Sequence, residues 1–253
     1  MNKKKIISLC TVGALSVATV VGGTLAYFTD MDTADNTFSI GNVQIEIEEE
    51  FDENDAQLIP GRDINKDVYV KNVGANDAYV RVHIAIPADM DDGNPEYNAS
   101  KNFLHFNFTQ DSVASGQWSW LPEYTTEIGY RGNGAGNWNF YTATIDEEAY
   151  NVYIVTYRSV LKANEKTATQ ALDKVYLDKT VDAVVSEDGQ TITYEDTKGN
   201  EVTMGIDETF DIKVFAEAVQ SEGFDNAYAA FEASYAPATE TANPWNGYGA
   251  ASE

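Results

Sequence analysis

The stretch Ala78–Ile86 reads AYVRVHIAI, and it decides the fold class because its branched apolar residues recur at every second position. One side of the extended chain carries Val80, Val82, Ile84 and Ile86. The other side carries Tyr79, Arg81, His83 and Ala85. A period of two is what a half-buried β-strand requires. The stretch therefore predicts a strand with one face in a core.

The same alternation recurs along the chain, in NVQIEIEEE (42–50), FLHFNF (103–108), YNVYIVTYRSVL (150–161) and FDIKVFAEAVQ (210–220). The segment TITYEDTKGNEVTM (191–204) has the pattern of a hairpin that turns at Lys198–Asn200. Strands follow one another without βαβ spacing, so we expect an all-β protein built as an antiparallel β-sandwich.

One segment departs from this period. In GFDNAYAAFEASY (223–235), aromatic residues recur at helical spacing, at Phe224, Tyr228, Phe231 and Tyr235. Asp225 or Asn226 stands near the start, where a helix needs a capping side chain. We expect a short helix packed on the sandwich, followed by an irregular tail over residues 237–253.

The first residues have the three parts of an export signal. Lys3–Lys5 are basic, Ile6–Val21 are apolar, and small residues follow, with Thr24 and Ala26 in the positions that a signal peptidase recognises. We expect a helical signal peptide over 1–26, cut between Ala26 and Tyr27. The rival interpretation is an uncleaved anchor, since the apolar run is long enough to span a bilayer. The small-residue end and the acidic stretch after it favour cleavage.

Charge excludes several classes of partner. The chain has 16 basic and 41 acidic residues, and residues 1–26 contain three lysines and no acid. From Tyr27 onward the chain therefore has 13 basic and 41 acidic residues, a formal charge of −28. Nucleic acid is a poor partner for such a chain, and we expect membrane contact only through the uncleaved signal. Cys10 is the single cysteine, so disulfides and thiolate metal sites are not expected after cleavage.

Two stretches resemble the TasA and camelysin (CalY) family. The first is GTLAYFTDMDTADNTFSIGNVQIEIEE (23–49), in which Thr37, Phe38, Gly41 and Ile45 match a family pattern. The second is LIPGRDINKDVYVKNVGANDAYVRVHI (58–84), with Pro-Gly, a Lys-containing strand and Asn-x-Gly before the next strand. The resemblance is specific over residues 22–86 and weaker beyond.

The resemblance implies a fold, a location and a function. Members are exported proteins of Gram-positive bacteria processed by the signal peptidase SipW, and the fold is a jelly-roll sandwich. The best-known members form extracellular fibres of the biofilm matrix. For this chain the resemblance implies a secreted or cell-surface structural protein, with itself or related matrix proteins as partners. The domains expected are the signal (1–26), an N-terminal arm (27–39), a sandwich (40–236) and the tail.

Camelysin is labelled a metalloprotease, so a zinc site has to be considered. A common zinc protease carries His-Glu-x-x-His on a helix. Here there are two histidines, His83 and His105, each on a strand pattern and without that motif. They could still meet one metal with a carboxylate; the alternative is a solvated or cross-strand-paired imidazole. With no Gly-x-Ser-x-Gly either, we expect no enzyme, no metal and no cofactor.

Two further groups of residues suggest ligands. Asp30, Asp32 and Asp35, and Asp89, Asp91 and Asp92, could bind calcium, although solvated turns fit their spacing better. The aromatic stretch 116–145 could form a surface for sugar rings, such as cell-wall polysaccharide, with Trp118, Trp138 and Tyr141 as its candidates. The alternative is that these aromatics fill the core.

The arm that follows the expected cut has an unusual composition. It carries Tyr27, Phe28, Met31 and Phe38 but has too few apolar residues to fold alone. Such an arm suits strand addition, in which an extended segment pairs with an exposed sheet edge of a neighbouring subunit. The alternative is that residues 27–38 form the first strand of their own sandwich. Both use the same alternation, so the sequence leaves them open.

The cleavage site gives a direct test. The secreted form should begin at Tyr27, and Ala26→Arg should block the cut, because the peptidase pocket excludes a large charged side chain. Peptide sequencing of the cell-surface form measures its first residue. Finding Met1 or Lys3 there would show that the signal is retained.

Overall fold

The fold was analysed in a computed structural model, which describes residues 29–33, 36–37, 43–51, 59–91, 101, 103–107, 117–124, 139–206, 211–235 and 243–245. These residues form antiparallel strands and one short helix, which confirms the all-β prediction. The elements are β1 (Thr29–Thr33), β2 (Asn36–Thr37), β3 (Ile45–Phe51), β4 (Ile64–Asn72), β5 (Ala78–Pro87), β6 (Leu104–Asn107), β7 (Trp118–Ser119), β8 (Phe140–Ile145), β9 (Glu148–Tyr157), β10 (Leu172–Leu177), β11 (Asp182–Val185), β12 (Thr191–Glu195), β13 (Glu201–Gly205), β14 (Lys213–Gln220) and α1 (Ala227–Ser234).

The described strands form three sheets. The large sheet has the order β2-β1-β14-β5-β9-β7, and β8 also pairs with β9. A second sheet has the order β3-β4-β10-β6, and the third, small sheet is the meander β11-β12-β13. The paired strands run antiparallel throughout.

The first two sheets pack face to face, as the sequence predicts for a sandwich. Val82 and Ile84 of β5 lie in one apolar cluster with Val68 and Val70 of β4, and all four are fully buried. In each strand the two buried residues are separated by one residue that points to the opposite face. Alternation therefore places all four in one layer between the two sheets. The sandwich prediction is confirmed.

The outer face of the large sheet is covered as well. At one end Tyr79 and Val219 pack against Ala230 and Phe231 of α1. At the other end Ile154 and Phe215 pack with Trp245. The prediction of a half-buried strand at 78–86 is therefore wrong in one respect: β5 is buried on both faces, because a helix and a C-terminal segment lie over it.

The two local predictions are confirmed. β12 and β13 pair from Thr191↔Gly205 to Glu195↔Glu201, and Gly199 turns the chain with a φ of 81°, a conformation that glycine adopts without a steric penalty. The helix begins after Asn226, whose side-chain oxygen accepts the backbone N–H of Ala229 at 3.1 Å. That bond satisfies one of the free donors of the first turn.

The candidate aromatic surface is wrong at two of its three positions. Trp118 is fully buried and its indole Nε1 donates to the Thr169 carbonyl at 3.1 Å. Tyr141 is buried under Trp245. Both residues fill the protein interior because β7 and β8 lie along the edge of β9, with one side against packed neighbours. Trp138 lies outside the described residues.

One acidic group also differs from expectation. A solvated turn is wrong for Asp91, which is fully buried and accepts the hydroxyl hydrogen of Tyr153. Its backbone carbonyl accepts the side-chain amide of Asn151. Asp91 therefore ties the end of β5 to β9. Asp89 is exposed, and Asp35 and Asp92 lie outside the described residues.

The burial of Trp118 predicts its role. Trp118→Ala should lower the free energy of unfolding by about 3–5 kcal/mol, because it leaves a cavity and an unpaired Thr169 carbonyl. Tyr124→Ala is the matched control, since Tyr124 is an aromatic of the same stretch that is 55% exposed. It should cost about 1 kcal/mol or less. Urea unfolding measures both; equal losses would contradict this assignment.

Candidate assembly edge

Strand β1 lies on the edge of β14. The two strands pair antiparallel from Thr29↔Val219 to Thr33↔Phe215, and Met31 is in register with Glu217. β2 then turns back onto β1 through Asp32↔Thr37 and Thr33↔Asn36. In the single chain, residues of the predicted arm therefore complete its own large sheet, one of the two arrangements that the sequence leaves open.

β14 contacts other parts of the protein on both of its faces and along both of its edges. On its inner face Val214, Ala216 and Ala218 are buried in the sandwich core. On its outer face Phe215, Glu217 and Val219 are buried as well. Its two edges pair with β5 and β1. If β1 were absent, the N–H and C=O groups along one side of β14 would lose their partners, which makes this edge an acceptor for an extended strand.

A buried ion pair crosses the outer face at the centre of this site. The guanidinium Nε of Arg81 donates to a carboxylate oxygen of Glu217 across β5 and β14. Nε2 of the fully buried His83 lies 3.2 Å from the same oxygen, an electrostatic contact that is not aligned as a hydrogen bond. Glu217 is 2% exposed, so its charge depends on these two neighbours rather than on water.

The neighbours decide the protonation of the cluster. Burial by itself raises the pKa of Glu217, but the contacts with His83 and Arg81 outweigh it and lower the pKa to about 2. Burial lowers the pKa of His83, although Glu217 favours its charged form. The lowered pKa of His83 favours a neutral imidazole at neutral pH, and the hydrogen-bonded guanidinium of Arg81 places a permanent positive charge beside the Glu217 carboxylate.

The other nitrogen of His83 connects the cluster to the C-terminal segment. Nδ1 lies 3.0 Å from the hydroxyl of Tyr141, and that hydroxyl accepts the indole N–H of Trp245 at 2.9 Å. In the neutral imidazole with its proton on Nε2, the hydroxyl hydrogen of Tyr141 donates to Nδ1. Trp245 also packs edge-on against Phe215, with ring centroids 4.8 Å apart.

The helix covers the other side of the ion pair. The guanidinium carbon of Arg81 lies 4.5 Å from the ring centroid of Phe231 and 5.3 Å from that of Tyr235. These distances are within the range of cation–π attraction. The Tyr235 hydroxyl donates to the Ala218 carbonyl at 3.2 Å. The helix, the charged cluster and the C-terminal segment thus cover the outer face of β14, the strand on whose edge β1 pairs.

Arg81 and Glu217 were not predicted as site residues, although the sequence contains a signal for them. In the strand patterns at 78–86 and 210–220, the side opposite the core also carries large or apolar residues, such as Tyr79 and Phe215. A strand that is apolar on both sides indicates burial on both faces. A charged residue in the middle of such a strand needs a partner of opposite charge.

His105 lies elsewhere. On β6 its Nε2 is 2.9 Å from a carboxylate oxygen of Asp178, and its ring stacks on Tyr176 at 5.1 Å. Burial by itself raises the pKa of Asp178, but hydrogen bonds from Thr180 and the contact with His105 lower it overall. Of the two interpretations considered for the histidines, the paired imidazole holds for both and the solvated one is wrong.

The described residues do not fit a zinc site. Val82 and Ile84 next to His83, and Leu104 next to His105, face the common core, so alternation puts the two imidazoles on opposite outer faces of the sandwich. Each imidazole has one carboxylate beside it. No group of three or more potential ligands is found within the described ranges.

The remaining predicted site residues are only partly covered. Thr24, Ala26 and Tyr27 of the cleavage site lie outside the described residues, as do Phe28 and Phe38 of the arm. Met31 is placed by its backbone in β1. Within the part of the chain that the structure covers, no helix has the length and hydropathy needed to cross a membrane.

By fold and edge, the chain is an antiparallel β-sandwich protein whose N-terminal strand completes the large sheet. Comparison with known families adds that residues 1–105 match the family described as Camelysin metallo-endopeptidase. The resemblance to the TasA/camelysin family is thereby confirmed, over the N-terminal part of the chain. Searches of curated proteins and of solved structures returned no match.

The buried histidine predicts a pH dependence of stability. Because burial lowers the pKa of His83, the unfolded chain binds this proton more tightly than the folded chain. The contribution of His83 is therefore complete above about pH 6.5, the ordinary imidazole pKa, and falls as the pH drops below it. His83→Gln cannot take the proton, so its stability should fall less between about pH 7.5 and 5.5.

Urea unfolding at several pH values measures this difference. His105→Gln is the matched control, since it removes the other imidazole from the opposite face and should leave the His83 contribution in place. If His83→Gln keeps the full pH dependence of the parent chain, the neutral buried imidazole is contradicted.

Proposed function

We propose that this chain is a secreted structural subunit that assembles into extracellular fibres of a Gram-positive biofilm matrix. Subunits join when the N-terminal arm of one pairs with β14 of the next. The partners are copies of the chain or related matrix proteins. The proposal follows the fibre-forming members of the family, and its location outside the cell rests on the predicted signal.

The single observation that supports it is the β1–β14 ladder. A separate N-terminal strand covers an edge that is otherwise ready to accept one, and it lies a few residues after the predicted cut. The ladder can form within a chain or between chains with the same register. Each backbone hydrogen bond in it contributes about 0.5–1.5 kcal/mol net in either case.

Exchange of the arm gives a geometry that propagates. A donor strand on one surface and an acceptor edge on another make a head-to-tail contact, which produces filaments when the rotation does not close a ring. Before cleavage the arm is joined to the signal and is not free to move to a neighbour. Export and cutting would therefore control the start of assembly.

A metallopeptidase is the second candidate, and the description of the matched family favours it. The described residues bring no three ligands together, so the candidate needs ligands from the rest of the chain. Stoichiometric zinc in the purified chain, together with cleavage of a protein substrate that a chelator stops, would support it. The third candidate, a sugar-binding module, is less well supported, because two of its three proposed contact residues, Trp118 and Tyr141, are buried.

Removing residues 27–38 tests strand donation. The truncated chain should remain a folded monomer that cannot form filaments, because it keeps the acceptor edge and lacks the donor. Electron microscopy shows filaments, and circular dichroism should show nearly the same strand content. A synthetic peptide of residues 27–38 should bind the truncated chain and cap it.

A control peptide with proline in place of Met31 should bind at least roughly tenfold more weakly, since proline interrupts a ladder. Filaments from the truncated chain would rule out donation from this end. A truncated chain that unfolds, and that the peptide does not rescue, would show that the arm belongs only to its own sandwich.

A further inference from the structure

The small sheet has an open edge that differs from the β14 edge. β11 pairs with β12 on one side, and no described strand pairs with it on the other. Its four residues are exposed, and Val184 and Val185 are 62% and 51% accessible. Soluble proteins usually protect such edges with lysine, proline or a bulge. β11 has none of these and is protected only by its shortness and by the exposed carboxylate of Asp182.

The backbone pattern shows which groups this edge presents. The Ser186 N–H donates to the Thr191 carbonyl, so the pair 186↔191 is a hydrogen-bonded pair of the β11–β12 ladder. In an antiparallel ladder such pairs alternate, so Val184↔Thr193 and Asp182↔Glu195 are also bonded to β12. The N–H and C=O groups of Ala183 and Val185 therefore point away from β12, toward the open side.

We propose that this edge is a second self-association site, at which β11 of one copy pairs antiparallel with β11 of another. Only outward-pointing residues can exchange hydrogen bonds, and the register that uses both of them in each strand pairs Ala183 of one copy with Val185 of the other. That register puts the two Val184 residues directly opposite each other on the outer face. The contact has two-fold symmetry and closes on itself, unlike the head-to-tail contact of the arm.

Charge agrees with this occupant and this register. Asp182 faces Ser186 of the second copy, so the two Asp182 carboxylates stand four residues apart along the strands, about 13 Å. In an antiparallel pair the start of each β11 lies beside the end of the other, which brings Lys179, just before one strand, near the turn residues Glu187 and Asp188 that follow the other. All three of these residues are exposed. The pairing thus sets opposite charges at both ends, with Val184 at the centre.

The rest of the molecule limits the strength of this contact. The net charge of −28 on each copy opposes approach, and salt reduces that repulsion. The association should therefore be weak for isolated subunits and stronger at higher salt. Between filaments, where many copies repeat along a line, the same contact would act many times and could hold filaments side by side.

A disulfide test addresses the register. Val184→Cys, made in the full chain with Cys10→Ser, places two cysteines directly opposite in a non-hydrogen-bonded pair, with Cα atoms about 4.5 Å apart. Mild oxidation should link the copies at least roughly tenfold faster than it links Thr203→Cys, a control on the same face of β13. Adding salt should speed the first reaction.

A second variant distinguishes strand pairing from chance contact of the engineered thiols. Val185→Pro, added to Val184→Cys, removes an N–H that β12 does not use, so the small sheet should stay folded by circular dichroism while the fast linking is lost. The proposal fails if Val184→Cys links no faster than Thr203→Cys, or if Val185→Pro leaves the rate unchanged. Linking should persist when residues 27–38 are removed, which separates this site from the arm.

Discussion

The structure depends on the burial of β14 on both faces and along both edges. Water reaches none of these sides, so each polar group of the strand needs a partner within the protein. β5 and β1 provide the partners for its backbone. Arg81 and His83 provide them for Glu217, the one carboxylate of the strand. The elements that surround β14 meet this requirement.

The elements around β14 serve this burial in different ways. α1 places Phe231 over the guanidinium of Arg81, and the C-terminal segment places Trp245 over Phe215 and Tyr141. A charged cluster under two aromatic covers remains dry, and its electrostatic attractions are stronger there than in water. The outer face of β14 is thereby covered beside the edge on which β1 pairs.

The two proposed contacts differ in what the protein has to do to make them. The β14 edge is long and buried, and in the single chain its own N-terminal strand covers it. The β11 edge is short and open, and the charges that flank its two ends are of opposite sign. The first contact would extend a filament, and the second would link copies laterally. A matrix needs both kinds of contact, because chains that only lengthen do not form a network.

The sequence by itself determined the local structure. Alternation of branched apolar residues predicted the strands, Lys198–Asn200 predicted the hairpin turn, and the aromatic spacing after Asp225 or Asn226 predicted the helix. These features depend on residues that are close together in the chain. The motifs near the N-terminus were also enough to predict the resemblance that the family comparison finds over residues 1–105, since a motif needs no knowledge of packing.

Only the tertiary structure decided which faces are covered. Trp118 and Tyr141 look the same in the sequence whether they line a surface or a core, and His83 and Asp91 look like solvated polar residues. Their burial comes from elements distant in the chain: α1, the Trp245 segment and β9. The pairing of Arg81 with Glu217 joins residues 136 positions apart, and no local pattern specifies such a distance. Burial is a property of what packs against a residue, and that is settled when the whole chain folds.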